Sequence, residues 1–171
     1  MKRSGQLRLI SGRRLVSPLG RGTRPTTARV REAVMNIVRP QMPNCRWLDL
    51  CSGSGVMGCE AIEHGAHSVT AVEQDPRCAK VCDENLRLVC DASQGTAEYT
   101  VIRSELVRWL RKGWDASPFD LIYFDPPYGA GLYTSALNEL ARDGWLHRDS
   151  LLICEHRSDQ RVTAGDSWRV V

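Results

Sequence analysis

No stretch of this 171-residue chain approaches the roughly twenty apolar residues of a membrane span. Its basic amino terminus also lacks the apolar core of a secretory signal. Neither a membrane nor an export route is therefore expected. The seven cysteines are odd in number, scattered, and include no Cys-x-x-Cys pair, which argues against a disulfide framework and for a reducing compartment, the cytoplasm. Cys78 and Cys82 lie on a helical stripe with Val81 and Asn85 and read as small core hydrophobes. With no nearby histidine to complete a ligand set, no metal is expected. Acids are almost missing from residues 1–39, where ten Lys or Arg face Glu32 alone, a balance of +9. The rest of the chain holds thirteen basic and nineteen acidic residues, a balance of −6, so the net +3 hides a strong asymmetry. Such a distribution suits a nucleic-acid arm on a mildly acidic body.

What the chain does have is most concentrated at Asp125-Pro126-Pro127-Tyr128, directly after the apolar run Leu121-Ile122-Tyr123-Phe124. Proline fixes φ and leaves carbonyls without helical partners, so a carboxylate and one or two carbonyls converge on one space. These oxygens only accept hydrogen bonds. They suit the two N–H donors of a nucleobase amine, while Tyr128 can stack on the base.

A second motif lies upstream. The strand Trp47-Leu48-Asp49-Leu50 runs into Cys51-Ser52-Gly53-Ser54-Gly55, and then into a helical pattern from Val56. Glycines in such a turn admit a ligand at the carboxyl end of a strand, where open α/β sheets bind nucleotides. Glu73, about eighteen residues beyond Gly55, ends the next strand and suits a ribose diol. Gly53, Gly55 and Gly58 also satisfy the dinucleotide fingerprint, but Asp49 would sit poorly beside a pyrophosphate. S-adenosylmethionine has no phosphate and carries an ammonium and a sulfonium that tolerate nearby acids. The order of motifs therefore predicts an S-adenosylmethionine-dependent methyltransferase.

The same residues resemble the bacterial 16S ribosomal RNA guanine-N2 methyltransferase family. The resemblance also covers Arg24-Pro25-Thr26-Thr27 with Val30-Arg31-Glu32, Gly144-Trp145-Leu146, and the segment Gly5 to Ile10, and so spans nearly the whole chain. It implies a Rossmann-like class I methyltransferase fold of strand order 3-2-1-4-5-7-6. It further implies methyl transfer to the exocyclic amine of one guanine in 16S rRNA or the assembled small subunit. On this reading Asp125, Pro126, Pro127 and Tyr128 are catalytic, and Asp49, Ser52, Gly53, Gly55, Glu73, Glu105 and Asp125 hold the cofactor. Where the family has Asp or Asn after strand 3, this chain has Ser104 and Glu105. The family ends in a strand hairpin; here Trp168 to Val171 reads as the start of a sixth strand only, with the terminal strand missing. A DNA adenine-N6 methyltransferase and an inactive RNA-binding remnant are the alternatives.

The element pattern is that of a doubly wound α/β domain with a mostly parallel sheet. Strands are predicted near 46–50, 68–73, 99–102, 121–124 and 151–155, and helices near 56–64, 76–88, 105–112 and 133–142. Residues 1–25 read as a basic extension and 26–171 as one globular, monomeric domain. Within the extension, Leu7 to Ile10 and Arg14 to Val16 look like short strands joined through Ser11-Gly12. Arg8, Arg13, Arg14 and Arg21 are the expected phosphate contacts, and Arg24 can reach RNA or brace the rim of the site. After a Thr26 or Thr27 cap, Val30, Val34, Ile37 and Val38 define a buried stripe that leaves Arg29 and Arg31 off it.

Overall fold

A computed structural model of the chain describes residues 6–18, 26–127, 129–142 and 144–171. Its centre is one sheet of five strands, β1 Arg46–Leu50, β2 Ser68–Glu73, β3 Glu98–Arg103, β4 Phe119–Phe124 and β5 Leu146–Cys154. The order is β3-β2-β1-β4-β5 with every neighbouring pair parallel, as the resemblance implied for these five. Parallel strands need crossovers, and five helices supply or flank them: α1 Ala28–Val38, α2 Val56–Glu63, α3 Pro76–Ala92, α4 Leu106–Leu110 and α5 Tyr133–Leu140.

Both faces of the sheet are covered, which explains the nearly continuous apolar runs in β1 and β4. Side chains alternate across the pleat. Trp47 and Tyr123 pack with Val34, Met57 and Leu86 on the face of α1, α2 and α3. Leu48, Leu50, Ile122 and Phe124 pack with Trp109, Ala136 and Trp145 on the face of α4 and α5. Asp49 and Asp125 alternate with those apolar residues.

Local chemistry fixes the helix ends. Thr27 caps α1 by accepting from the Val30 N–H at 3.3 Å. Asp75 caps α3 through the Arg77 and Cys78 N–H groups, at 2.8 and 3.2 Å, with Pro76 in the first turn. This helix runs four residues beyond its predicted end at Leu88, because Val89 and Cys90 carry the buried stripe onward.

Three expectations need correction. Arg31 is not off the buried face of α1: it is 4% exposed, whereas Ile37 is 66% exposed. The guanidinium is buried because it meets Glu60 of α2 at 3.0 Å and two backbone carbonyls. The two short strands of the amino-terminal segment reduce to one antiparallel bridge, Arg8 to Arg14. A tight turn at Gly12, φ 89°, draws them together, and Leu7, Leu9 and Leu15 insert into the same core cluster as α1 to α3. Trp168 to Val171 opens no strand. There the Trp168 indole packs toward α5 and donates to the Leu137 carbonyl at 3.3 Å. No helix among the described residues is long and apolar enough to cross a membrane.

Candidate active site

The carboxyl ends of the strands open into a crevice of about 820 Å³. Parallel pairing of Leu50 with Phe124 sets the turn after β1 beside the first residue after β4, so Cys51-Ser52-Gly53 and Asp125 share one wall. Each glycine of the turn has a separate task. Gly53, at φ 55°, has no heavy atom within 4 Å of the place a Cβ would take, so it leaves space for a ligand. Gly55, at φ 75°, would press a Cβ to 2.7 Å from the Cys82 Sγ. Gly58 lets α2 lie against β2 and α3, where a Cβ would meet Val69 at 2.8 Å and Leu86 at 3.2 Å. The Ser52 N–H donates to the Val72 carbonyl at 3.0 Å, tying the turn to β2.

Glu73 ends β2 and joins two loops. Its Oε2 accepts from the Gly53 N–H and its Oε1 from the Asp75 N–H, each at 2.8 Å. Each oxygen keeps a second acceptor position. Asp49 is buried behind the turn and accepts from the Gly58 N–H at 3.2 Å. Burial pushes its pKa up to about 8, opposed by that hydrogen bond and reinforced by the negative charges of Asp125 and Glu73. Glu105 lines the crevice but caps α4, with Oε1 on the Val107 N–H at 2.9 Å and Oε2 on the Arg108 N–H at 2.7 Å. The buried Ser104 lies beside it.

Pro126 and Pro127 continue the lining from Asp125, beside the glycine turn. The Pro127 carbonyl accepts from the Ala130 N–H at 3.2 Å. Among the described residues no donor reaches the Pro126 carbonyl, so of the two proline carbonyls it is the one available to a substrate. Tyr128, Arg21 and Arg24 lie outside the described residues.

Of the described arm residues, Arg8 and Arg14 are exposed, with Arg8 Nη1 on the Gly12 carbonyl at 3.1 Å. Arg13 is engaged by Glu63 at 2.6 Å. They lie on the α1 and α2 side of the sheet.

Sequence reasoning missed Tyr123, Glu155 and the crevice-lining role of Thr26. The Tyr123 hydroxyl donates to Glu155 Oε2 at 2.5 Å, and the Glu155 N–H donates to the Phe124 carbonyl at 2.9 Å. A usable signal existed: Glu155 follows β5 as Asp125 follows β4.

The lining suits one kind of ligand. Asp49, Glu73, Asp75, Glu105, Asp125 and Glu155 contribute carboxyls, while Arg77, the one cation among the described lining residues, is paired with Asp75 at 3.1 Å. Among the described lining residues there is no further cation to meet a pyrophosphate. A ligand bearing an ammonium and a sulfonium fits this charge, and the open face of Gly53 gives it room. A parallel sheet in this strand order with such a crevice is the Rossmann-like class I methyltransferase fold.

Comparison with known proteins narrows this. The chain belongs to the family described as Conserved hypothetical protein 95, whose model matches residues 4–171. It is 34% identical to the ribosomal RNA small subunit methyltransferase D of Escherichia coli strain K12, over 96% of this chain and 82% of that protein. With the protein of the same name from Haemophilus influenzae it shares 30% identity, over 98% and 87%. A solved structure from Escherichia coli, itself assigned only provisionally as the methyltransferase yhhF, superposes with a TM-score of 0.76 at 32% identity. That match covers 94% of this chain and 87% of the other.

Proposed function

We propose that the protein is an S-adenosylmethionine-dependent rRNA methyltransferase that modifies the exocyclic N2 amine of a guanine in small-subunit rRNA. The observation that carries this reading is the acceptor pair after β4, the Asp125 carboxylate and the Pro126 carbonyl, set beside the glycine turn in one acid-lined crevice. The names of the relatives support the rRNA substrate. The amine chemistry rests on the acceptors.

Asp49, Ser52, Gly53, Gly55 and Glu73 would hold S-adenosylmethionine, with Glu105 at the rim. When bound it supplies an already activated methyl group. The residues of the chain therefore have to align a weak nucleophile and exclude water. The guanine amine is weak because its lone pair is delocalised into the ring. Accepting its two N–H groups, Asp125 and Pro126 favour a tetrahedral nitrogen and localise that pair. Positive charge develops on the nitrogen as it reacts, and the Asp125 carboxylate stabilises it without first removing a proton. Afterwards the proton passes to Asp125 or to water. Tyr128 would stack on the everted base, and such contacts contribute roughly 1–3 kcal/mol. Arg8, Arg13, Arg14, Arg21 and Arg24 would engage the RNA backbone.

The test is transfer of a tritiated methyl group to rRNA, assembled small subunits, DNA and protein in parallel. Label should enter rRNA or the subunit and be recovered as N2-methylguanine. Asp125→Ala should abolish transfer while cofactor affinity stays within a few fold. Equal loss of both would assign Asp125 a structural role, and label in DNA alone would overturn the substrate.

A further inference from the structure

We propose that Glu155 selects the base, accepting the N1–H of guanine while Asp125 accepts the neighbouring 2-amino group. This deepens the guanine-N2 reading and rests on it. Register supplies the placement. Phe124 pairs with Cys154 in the β4–β5 ladder, so Asp125 and Glu155 are the next residues of two adjacent parallel strands. Both line the crevice.

Glu155 is held in a set orientation. Its N–H donates to the Phe124 carbonyl at 2.9 Å, its carbonyl accepts from the Tyr133 hydroxyl at 3.0 Å, and its Oε2 accepts from the Tyr123 hydroxyl at 2.5 Å. Tyr123 is itself fixed, 2% exposed and stacked on Trp47 with ring centroids 6.2 Å apart. That leaves Oε1, to which no described residue donates. Thr26, on the amino-terminal side of the site, lines the crevice together with Tyr123 and Glu155.

The chemistry of the bases turns this geometry into a choice. Guanine presents N1–H and the 2-amino group side by side, two adjacent donors that need two acceptors. Adenine presents its amine beside N1, whose lone pair would face a carboxylate oxygen. A site built around a donor rejects an analogue lacking it far more strongly than a merely apolar pocket rejects a misfit. 2-Aminopurine keeps the 2-amine, replaces N1–H with a lone pair and drops the 6-oxo group, so the change of its discrimination between wild type and a Glu155 variant, in which the O6 contribution cancels, reports the N1 contact.

The experiment begins by mapping the guanine that the wild-type protein methylates, by mass spectrometry of the product. Small subunits carrying guanine or 2-aminopurine at that position are then compared by kcat/KM. Wild type should favour guanine by about 100-fold or more. In Glu155→Gln the ratio should fall below about 10-fold, because the amide can turn its NH₂ toward the bare N1. Tyr123→Phe, which releases the carboxylate without removing it, should lower the ratio partway. Cofactor affinity and thermal midpoint should stay near wild type in Glu155→Gln. An unchanged ratio in both variants overturns the role of Glu155, whatever happens to their stability. A product map lacking N2-methylguanine instead overturns the underlying reading, and does so before any variant is made.

Discussion

At the scale of single residues, Asp49 has the most direct electrostatic consequence. Its folded pKa, raised by burial from 3.8 to about 8, means that the folded protein binds an extra proton between those values. The stability contributed by this neutral carboxyl is complete below the lower value and is lost as pH rises toward 8. A cation bound nearby favours the carboxylate and reverses the balance. S-adenosylmethionine binding at pH 7 should therefore release close to one proton, and affinity should climb with pH before levelling near 8. Calorimetry in buffers of different ionisation enthalpy measures the release directly. Asp49→Asn should abolish it, and a variant whose binding enthalpy kept the wild-type buffer dependence would place the proton elsewhere. This pair of roles was only half legible in the sequence. The position of Asp49 before a glycine turn identified it, but its degree of burial depends on α2 and β2 closing over it. Glu155 was hidden for a similar reason: its neighbour Asp125 is thirty residues away in sequence and adjacent only through the β4–β5 register.

Among elements, the amino-terminal segment, α1 and α2 meet at one buried ion pair. Arg31 reaches Glu60 Oε1 at 3.0 Å, the Thr26 carbonyl at 2.6 Å and the Arg8 carbonyl at 2.6 Å, while the Ile10 N–H also donates to Glu60 Oε1 at 2.9 Å. Burial raises the pKa of Glu60 and the Arg31 guanidinium opposes that shift. Removing the cation would leave a buried carboxyl without its partner, which typically costs about 3–5 kcal/mol. Arg31→Met should lower stability by an amount of that order in urea unfolding, and Arg31→Met with Glu60→Gln should recover part of it. A cost for the single variant well under 1 kcal/mol would mean that the junction does not hold the arm. The strand and helix sequence was largely readable because apolar runs, Asp75-Pro76 and the glycine turn each act locally. Arg31 was misplaced because helical periodicity registers apolar side chains, whereas this arginine is buried by a carboxylate from another helix.

For the whole molecule, charge separation sets how a polyanion can approach. The crevice is lined by acids and repels phosphate, while the first 39 residues carry a balance of +9. An RNA substrate would then be anchored outside the crevice and present only an everted base to it, with the phosphates lying over the basic segment. Attraction of this kind is counterion release, and log K falls with log salt by about 0.7 per neutralised phosphate on a single strand. Arg8 and Arg14 are exposed, whereas Arg13 is already paired with Glu63. Replacing Arg8 and Arg14 together by alanine should therefore weaken binding to small-subunit rRNA and flatten the slope by roughly 1.4. Arg13→Ala alone should change it less, since Glu63 competes with phosphate for the same guanidinium. Filter binding between about 50 and 200 mM salt resolves the difference. A double variant with the wild-type slope would remove the exposed arm arginines from the interface and leave the RNA to be anchored by other cations of the surface.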